Sequence, residues 1–189
     1  MAVSQKKHMI DSTKADAVYM VSTGLSDLIK NKSFQNIVFL CIGTDRSTGD
    51  CLGPLVGERL ISCSKFKNIC VFGTLNEPVH AKNLDSIIRK IYRTIDNPYV
   101  IAVDASLGRV ENIGNINIYE GPVYPGAGVN KDLKPVGNIS ITGIVNISGF
   151  MEYLVLQSTR LSQVMKLADV IYLGITDFLS DIESSAVFY

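Results

Sequence analysis

Net charge is what this sequence most conspicuously lacks: Lys and Arg together number 18, as do Asp and Glu, in 189 residues. No segment gathers an excess of Lys and Arg, so the electrostatic footprint that duplex DNA or RNA requires is missing. No apolar run reaches the length of a membrane helix, and the opening MAVSQKKHMIDSTKADAVYM has no apolar core of signal-peptide size. A soluble, cytoplasmic protein is expected. Cys41, Cys51, Cys63 and Cys70 form no CxxC pair and have no ligand His beside them, which argues against a zinc site or a disulfide framework and for reduced thiols. Neither GxGxxG nor GxxxxGKS/T spacing occurs, and Pro125 interrupts GPVYPGAGV, the nearest approach to a phosphate loop. There is no internal repeat, low-complexity tract or linker.

Hydrophobic residues make up 47% of the chain, enough for one domain over 1–189 to bury about two-thirds of its unfolded surface. Residues 37–63, IVFLCIGTDRSTGDCLGPLVGERLISC, organise the rest. A β-branched run breaks at Gly43 into a polar loop, and Leu52, Leu55, Val56, Leu60 and Cys63 then recur with helical spacing. The reading is strand, loop, helix, with Gly53 letting the helix approach the sheet and Pro54 tolerated in the first turn. Such loops lie at the carboxyl ends of strands in open α/β sheets, where ligands bind.

The remaining pattern extends this unit. Ala17, Val18, Val21, Leu25, Leu28 and Ile29 form the stripe of a first helix, so residues 1–35 read as a helical extension ahead of a core over 36–180. Residues 69–73 and 99–103 are short buried strands, and a helix is predicted over 81–96. Residues 113–121 alternate apolar and polar, as a half-exposed or edge strand does. Residues 121–137 are loop, 136–142 a further strand, and the chain after Ser148 is two helices broken near Ser158 or Gly174. These apolar C-terminal helices suit either the core or the face of a homo-oligomer. The fold class is α/β: helices on both faces of a mostly parallel central sheet, a three-layer α/β/α arrangement.

Asp50 and Asp104 are the candidates for chemistry, one in the loop after the first core strand and one at the carboxyl end of 99–103. Either could merely cap a helix or turn. On one rim, however, two carboxylates can share a proton, leaving one acid and one base to activate water, or they can hold a divalent metal with a third ligand. Asp45 and Arg46 form a surface ion pair or a substrate-binding lip. His80 and Glu77 offer a metal ligand, and Cys51 with His80 the alternative of a thiol hydrolase that no spacing signature supports. Tyr153 and Tyr172 read as core or interface, and His8 as part of a frayed terminus.

The runs CIGTDRSTGDCLGPLVG, GTLNEPVHAKNL, VDASLGR, GPVYPGAGVNK, ITGIVNISGF and VLQSTRLSQVMKLAD closely resemble the YyaC-type spore protease family of endospore-forming bacteria, from about residue 37 to 171. That family resembles the germination protease, an atypical aspartic endopeptidase that degrades small acid-soluble spore proteins. More distantly it resembles hydrogenase-maturation endopeptidases, which have the three-layer α/β/α fold. The resemblance implies a sporulation-associated endopeptidase with Asp50 and Asp104 as catalytic pair and no cofactor, acting on protein or peptide in the sporulating cell or spore. Asp45, Arg46, Gly126, Gly128, Lys131 and Asn146 are then the substrate contacts. The hydrogenase-maturation likeness implies instead a metal-dependent endopeptidase using Asp50, Asp104 and, since Thr142 stands near the place of that family's His, His80 from another loop. A sporulation binding or scaffold protein that cleaves nothing is the alternative from a different class.

Overall fold

In the computed structural model, which describes residues 7–62, 66, 68–125 and 134–184, the chain builds one six-stranded sheet. The strands are β1 (Lys7–Asp11), β2 (Asn36–Cys41), β3 (Ile69–Phe72), β4 (Pro98–Gly108), β5 (Asn115–Glu120) and β6 (Ile139–Ile147), in the spatial order β1-β5-β6-β4-β2-β3. The four strands from β6 to β3 are parallel, whereas β5 pairs antiparallel with both β6 and β1. The helices are α1 (Ala17–Ile29), α2 (Leu52–Ile61), α3 (Leu84–Thr94), α4 (Glu152–Gln157) and α5 (Leu161–Ser184).

Side-chain alternation along the strands assigns the layers. Ile37, Phe39 and Cys41 of β2, Ile101 and Val103 of β4 and Ile116 and Ile118 of β5 join one buried cluster with α1, α2 and α5. Val38 and Leu40, Val100 and Ala102 point the other way, into a smaller cluster with Leu84, Ile87, Ile88 and Ile91 of α3. β2 is buried on both faces, which is why it reads as an unbroken apolar run. The fold is therefore α/β/α with a mostly parallel sheet, but its layers are unequal. The α3 layer rests on β3, β2 and the first half of β4; beyond it no helix of the described residues covers that side, where Thr142 and Ile144 of β6, Asn117 and Tyr119 of β5 and Lys7 and Met9 of β1 are presented.

From β2 the chain crosses through α2 to β3 on one side, then returns through α3 to β4 on the other side of β2. This reversal makes the carboxyl ends of β2 and β4 a topological switch point, the place where open α/β sheets open a crevice.

Several boundaries differ from those the sequence suggests. Residues 7–11 are not a frayed lead-in to a helical extension: they form the edge strand β1, too short for its pattern to register, and held by pairing with β5. The strand predicted over 99–103 runs on to Gly108, since β6 pairs with it beyond the point where β2 stops. Asp104 is thus inside β4, level with the end of β2. The strand predicted over 136–142 is β6, starting later and continuing through Gly143 because β4 and β5 flank it. The last two helices break between Gln157 and Leu161, and α5 runs unbroken through Gly174. Its apolar stripe, with Val164, Leu167, Ile171, Ile175 and Phe178, belongs to the core. Large exposed apolar groups gather instead at Phe150, Met151, Tyr153 and Leu154, with Phe150 at 90% exposure.

Candidate active site

Asp50 is held by a loop that folds back on its own origin. Gly43, just past β2, takes φ +138° and donates its N–H to the Val79 carbonyl at 2.7 Å, while Thr44 donates to the Asp50 carbonyl at 3.1 Å and Asp50 to that of Ser47 at 3.0 Å. A one-turn 3-10 segment, Thr48–Cys51, then leads into α2. Gly53 does what its position suggested: a Cβ there would stand 2.1 Å from the Ile42 carbonyl oxygen, so only glycine lets the helix start so close to the strand. The N-cap of α2 is Cys51, with no side-chain cap bond. Asp50 is therefore not a helix cap, and its carboxylate is left to the crevice. Burial raises its pKa to about 6, opposed by a backbone hydrogen bond from Thr44.

Asp104 reaches the same crevice from β4. It lies opposite Thr142 of β6, which lies opposite Asn117 of β5. Directly paired residues on adjacent strands share a face, so Asp104, Thr142 and Asn117 form one polar row across three strands, on the face that α3 leaves bare. They are only 7%, 7% and 8% exposed. Burial first, then the charge of Asp50, pushes the Asp104 carboxyl well above the ordinary carboxylate range, against a 2.8 Å hydrogen bond that its Oδ1 accepts from the Ala105 N–H. Asp50, Asp104, Thr142 and Asn117 all line a single cavity of about 740 Å³. Tyr119, two residues along β5, lines it too, its phenol pushed up by burial and by Asp104 and held down by a hydrogen bond its oxygen accepts from Ser140.

The other sequence candidates divide. Arg46 and His80 line the cavity, as do Lys7, Lys82 and Glu152. Asp45 is exposed, next to the cavity wall but not part of it. Asn146 lies off the cavity: its amide donates to Thr159 Oγ1 at 3.1 Å and to the Val155 carbonyl at 3.5 Å, and its Oδ1 accepts from the Ile147 N–H at 2.8 Å. It ties β6 to α4, which packs on the turn that carries Asp50. Gly126, Gly128 and Lys131 lie outside the described residues. Cys51 is buried off the cavity, its Sγ directed at the Thr48 carbonyl, and burial with the nearby Asp50 and Asp45 charges raises the thiol pKa. That environment suppresses the thiolate a Cys/His hydrolase needs. Tyr153 is exposed and bonds Gln157 rather than entering the core.

Sequence reasoning passed over Asn117, Tyr119 and Lys82. The signal for the first two was present in NINIY, where Ile116 and Ile118 take one face and Asn117 and Tyr119 the other. What it could not show is that the second face forms the floor of a cavity.

A metal held by two acids and a histidine does not fit the residues in place. Thr142, with no metal-binding imidazole, occupies the strand position beside Asp104. His80 is on the wall but its Nδ1 accepts the Lys82 N–H at 3.3 Å. Among the described residues no three His, Cys, Asp or Glu side chains converge as a metal site.

Comparisons with known proteins bear on the fold and the family. A family model described as "Protein of unknown function (DUF1256)" matches residues 9–174. The chain is 50% identical over 172 residues, 90% of its length and 82% of the relative's, to "Uncharacterized protein YyaC" of Bacillus subtilis (strain 168). Among solved structures it is similar to a NiFe hydrogenase maturation protease, HycI, from Thermococcus kodakarensis KOD1, with a TM-score of 0.55 and 19% identity, covering 82% of this chain and 98% of that one. At that identity the likeness speaks to the fold.

Proposed function

The chain belongs to the DUF1256 family, and from the site it carries we propose that it is an endopeptidase in which Asp50 and Asp104 activate water for attack on a peptide carbonyl. One observation supports this above the rest: two carboxyl groups from distant parts of the chain line one cavity, both with raised pKa values, the Asp50 charge opposing ionisation of Asp104. Such a pair holds one proton between its members near neutral pH.

The depth of burial assigns the parts. Asp104, the more deeply buried of the two, keeps the proton and donates it as a hydrogen bond to the carbonyl oxygen of the scissile peptide. Asp50, ionised above about pH 6, takes a proton from water as the water oxygen bonds to the carbonyl carbon. The tetrahedral intermediate collapses when the C–N bond breaks and the departing amine takes the proton from Asp50. Water is thereby split between the new carboxylic acid and the new amine, and the pair returns to its starting state. No step passes through a metal.

By its resemblance to spore proteases, the substrate class is a protein or peptide of the sporulating cell or spore, with small acid-soluble spore proteins the first to try, and the site of action its cytoplasm. Arg46, which lines the cavity, is assigned to substrate contact, and so are Gly126, Gly128 and Lys131. Incubation of these proteins with wild type, Asp50→Asn and Asp104→Asn decides the matter. Cleavage by the wild type and a loss of at least about 100-fold in both variants is expected. Wild-type rates in both variants would remove the pair from the mechanism, and binding without cleavage by all three would make the protein a scaffold.

A further inference from the structure

Asn117 has a buried acceptor with nothing to accept. Among the described buried side-chain oxygens without a hydrogen-bond partner, those of Ser12, Ser47 and Asn117, only that of Asn117 belongs to a residue lining the cavity. A carboxamide oxygen held away from water without a donor costs stability, and an apolar side chain of the same shape would avoid that cost. The side chain of Asn117 is itself only 8% exposed, so its polar group is held away from bulk water. A donor brought by a ligand would complete the group.

The geometry of the sheet says where that donor sits. Asp104, Thr142 and Asn117 stand in register on three neighbouring strands. With strands about 4.8 Å apart, Asn117 is about 10 Å from Asp104 along the row. An extended polypeptide advances about 3.3 Å per residue, so a chain lying across the bare strands with its reacting carbonyl at Asp104 presents backbone two or three residues further on at Asn117. The donor every polypeptide repeats at that spacing, whatever its sequence, is the main-chain N–H.

We propose that Asn117 is a substrate-binding residue: its Oδ1 accepts a main-chain N–H of the bound polypeptide two or three residues from the bond that Asp50 and Asp104 hydrolyse. The assignment rests on the peptidase reading above. It makes the cavity floor formed by β4, β6 and β5 a subsite for backbone rather than for any one side chain, so it contributes affinity without selecting sequence.

The test uses the full chain, a library of internally quenched decapeptides and the isosteric variant Asn117→Leu. For a peptide that the wild type cleaves, Asn117→Leu is expected to raise KM about five-fold, with a smaller change in kcat. Its melting temperature should equal or exceed that of the wild type, because no protein partner is lost. Replacing each peptide N–H in turn by an ester oxygen should raise the wild-type KM at one position, two or three residues from the cleaved bond, and that effect should vanish in Asn117→Leu. Equal KM values for the two proteins, or an ester effect that persists in the variant, overturns the subsite and leaves the peptidase reading standing. A lower melting temperature with unchanged KM makes Asn117 structural and overturns it too. Failure of the wild type to cleave any peptide of the library or any small acid-soluble spore protein overturns the peptidase reading and the subsite with it.

Discussion

A Cβ on Gly43 would lie 1.9 Å from the carbonyl oxygen of Asp50. The two residues stand at opposite ends of one loop, and the backbone of the first presses on that of the second. Gly43 also sits at φ +138°, a conformation that L side chains rarely adopt. Gly43→Ala therefore meets a clash with backbone and a strained dihedral together. The expected result is a loss of about 2 kcal/mol or more in unfolding free energy and displacement of Asp50 from the cavity. Thermal unfolding alongside peptide cleavage checks this, and a variant as stable and active as the wild type would show that the loop has another route.

The paired carboxyl groups set the pH dependence of the rate. Asp50 works as a base only when ionised, so kcat/KM should fall as pH drops through about 6. Asp104 works as a donor only while protonated, and burial with the nearby Asp50 charge raises its pKa well above the ordinary carboxylate range, so the rate should fall again on the alkaline side. The two limbs report the pair as a unit. A profile flat across the acid limb would contradict the assignment of Asp50.

Stability should run in the opposite sense to that given by ion-paired carboxylates, whose pKa values are lowered on folding. Both folded-state pKa values lie above the ordinary 3.8, so between 3.8 and the folded values the native state binds more protons than the unfolded one. Stability from these groups is then full below about pH 4 and declines as pH rises through the folded pKa of each. Asp50→Asn removes one such penalty. It should stabilise the protein by on the order of 2 kcal/mol at pH 7.5 and by nothing at pH 3.5, measured by denaturant unfolding at the two pH values.

Asn146 offers a contrast between structural and binding parts. Its carboxamide joins Thr159, Val155 and Ile147, and so holds α4 against the turn that presents Asp50. Asn146→Ala should cost about 1–2 kcal/mol in stability and lower kcat modestly, with KM unchanged. A raised KM at unchanged stability would return it to the substrate contacts.

Local sequence determined the elements whose environment is symmetrical or whose geometry is steric. β2 is covered on both faces, so its buried run reads plainly. The stripe of α3 meets a single apolar face and recurs at three and four. Gly53 admits only a close approach, whatever it approaches. The loop position of Asp50 follows from the strand and helix on either side, whereas the apolar run before Asp104 suggested a strand end there and β4 continues to Gly108.

Pairing between distant strands decided the rest. Whether residues 7–11 are a tail or a strand depends on β5, whether β4 ends at Val103 or Gly108 depends on β6, and neither partner is near in sequence. By itself the sequence determined that this is an α/β chain with acidic residues where such sheets bind ligands, because hydrophobic period and glycine sterics act over a few residues. Only the tertiary structure decided that one helix covers half a face, leaving Asp104, Thr142 and Asn117 in a buried row beside Asp50. Register between strands is a long-range quantity, and a carboxylate's proton affinity is set by what the folded chain places around it.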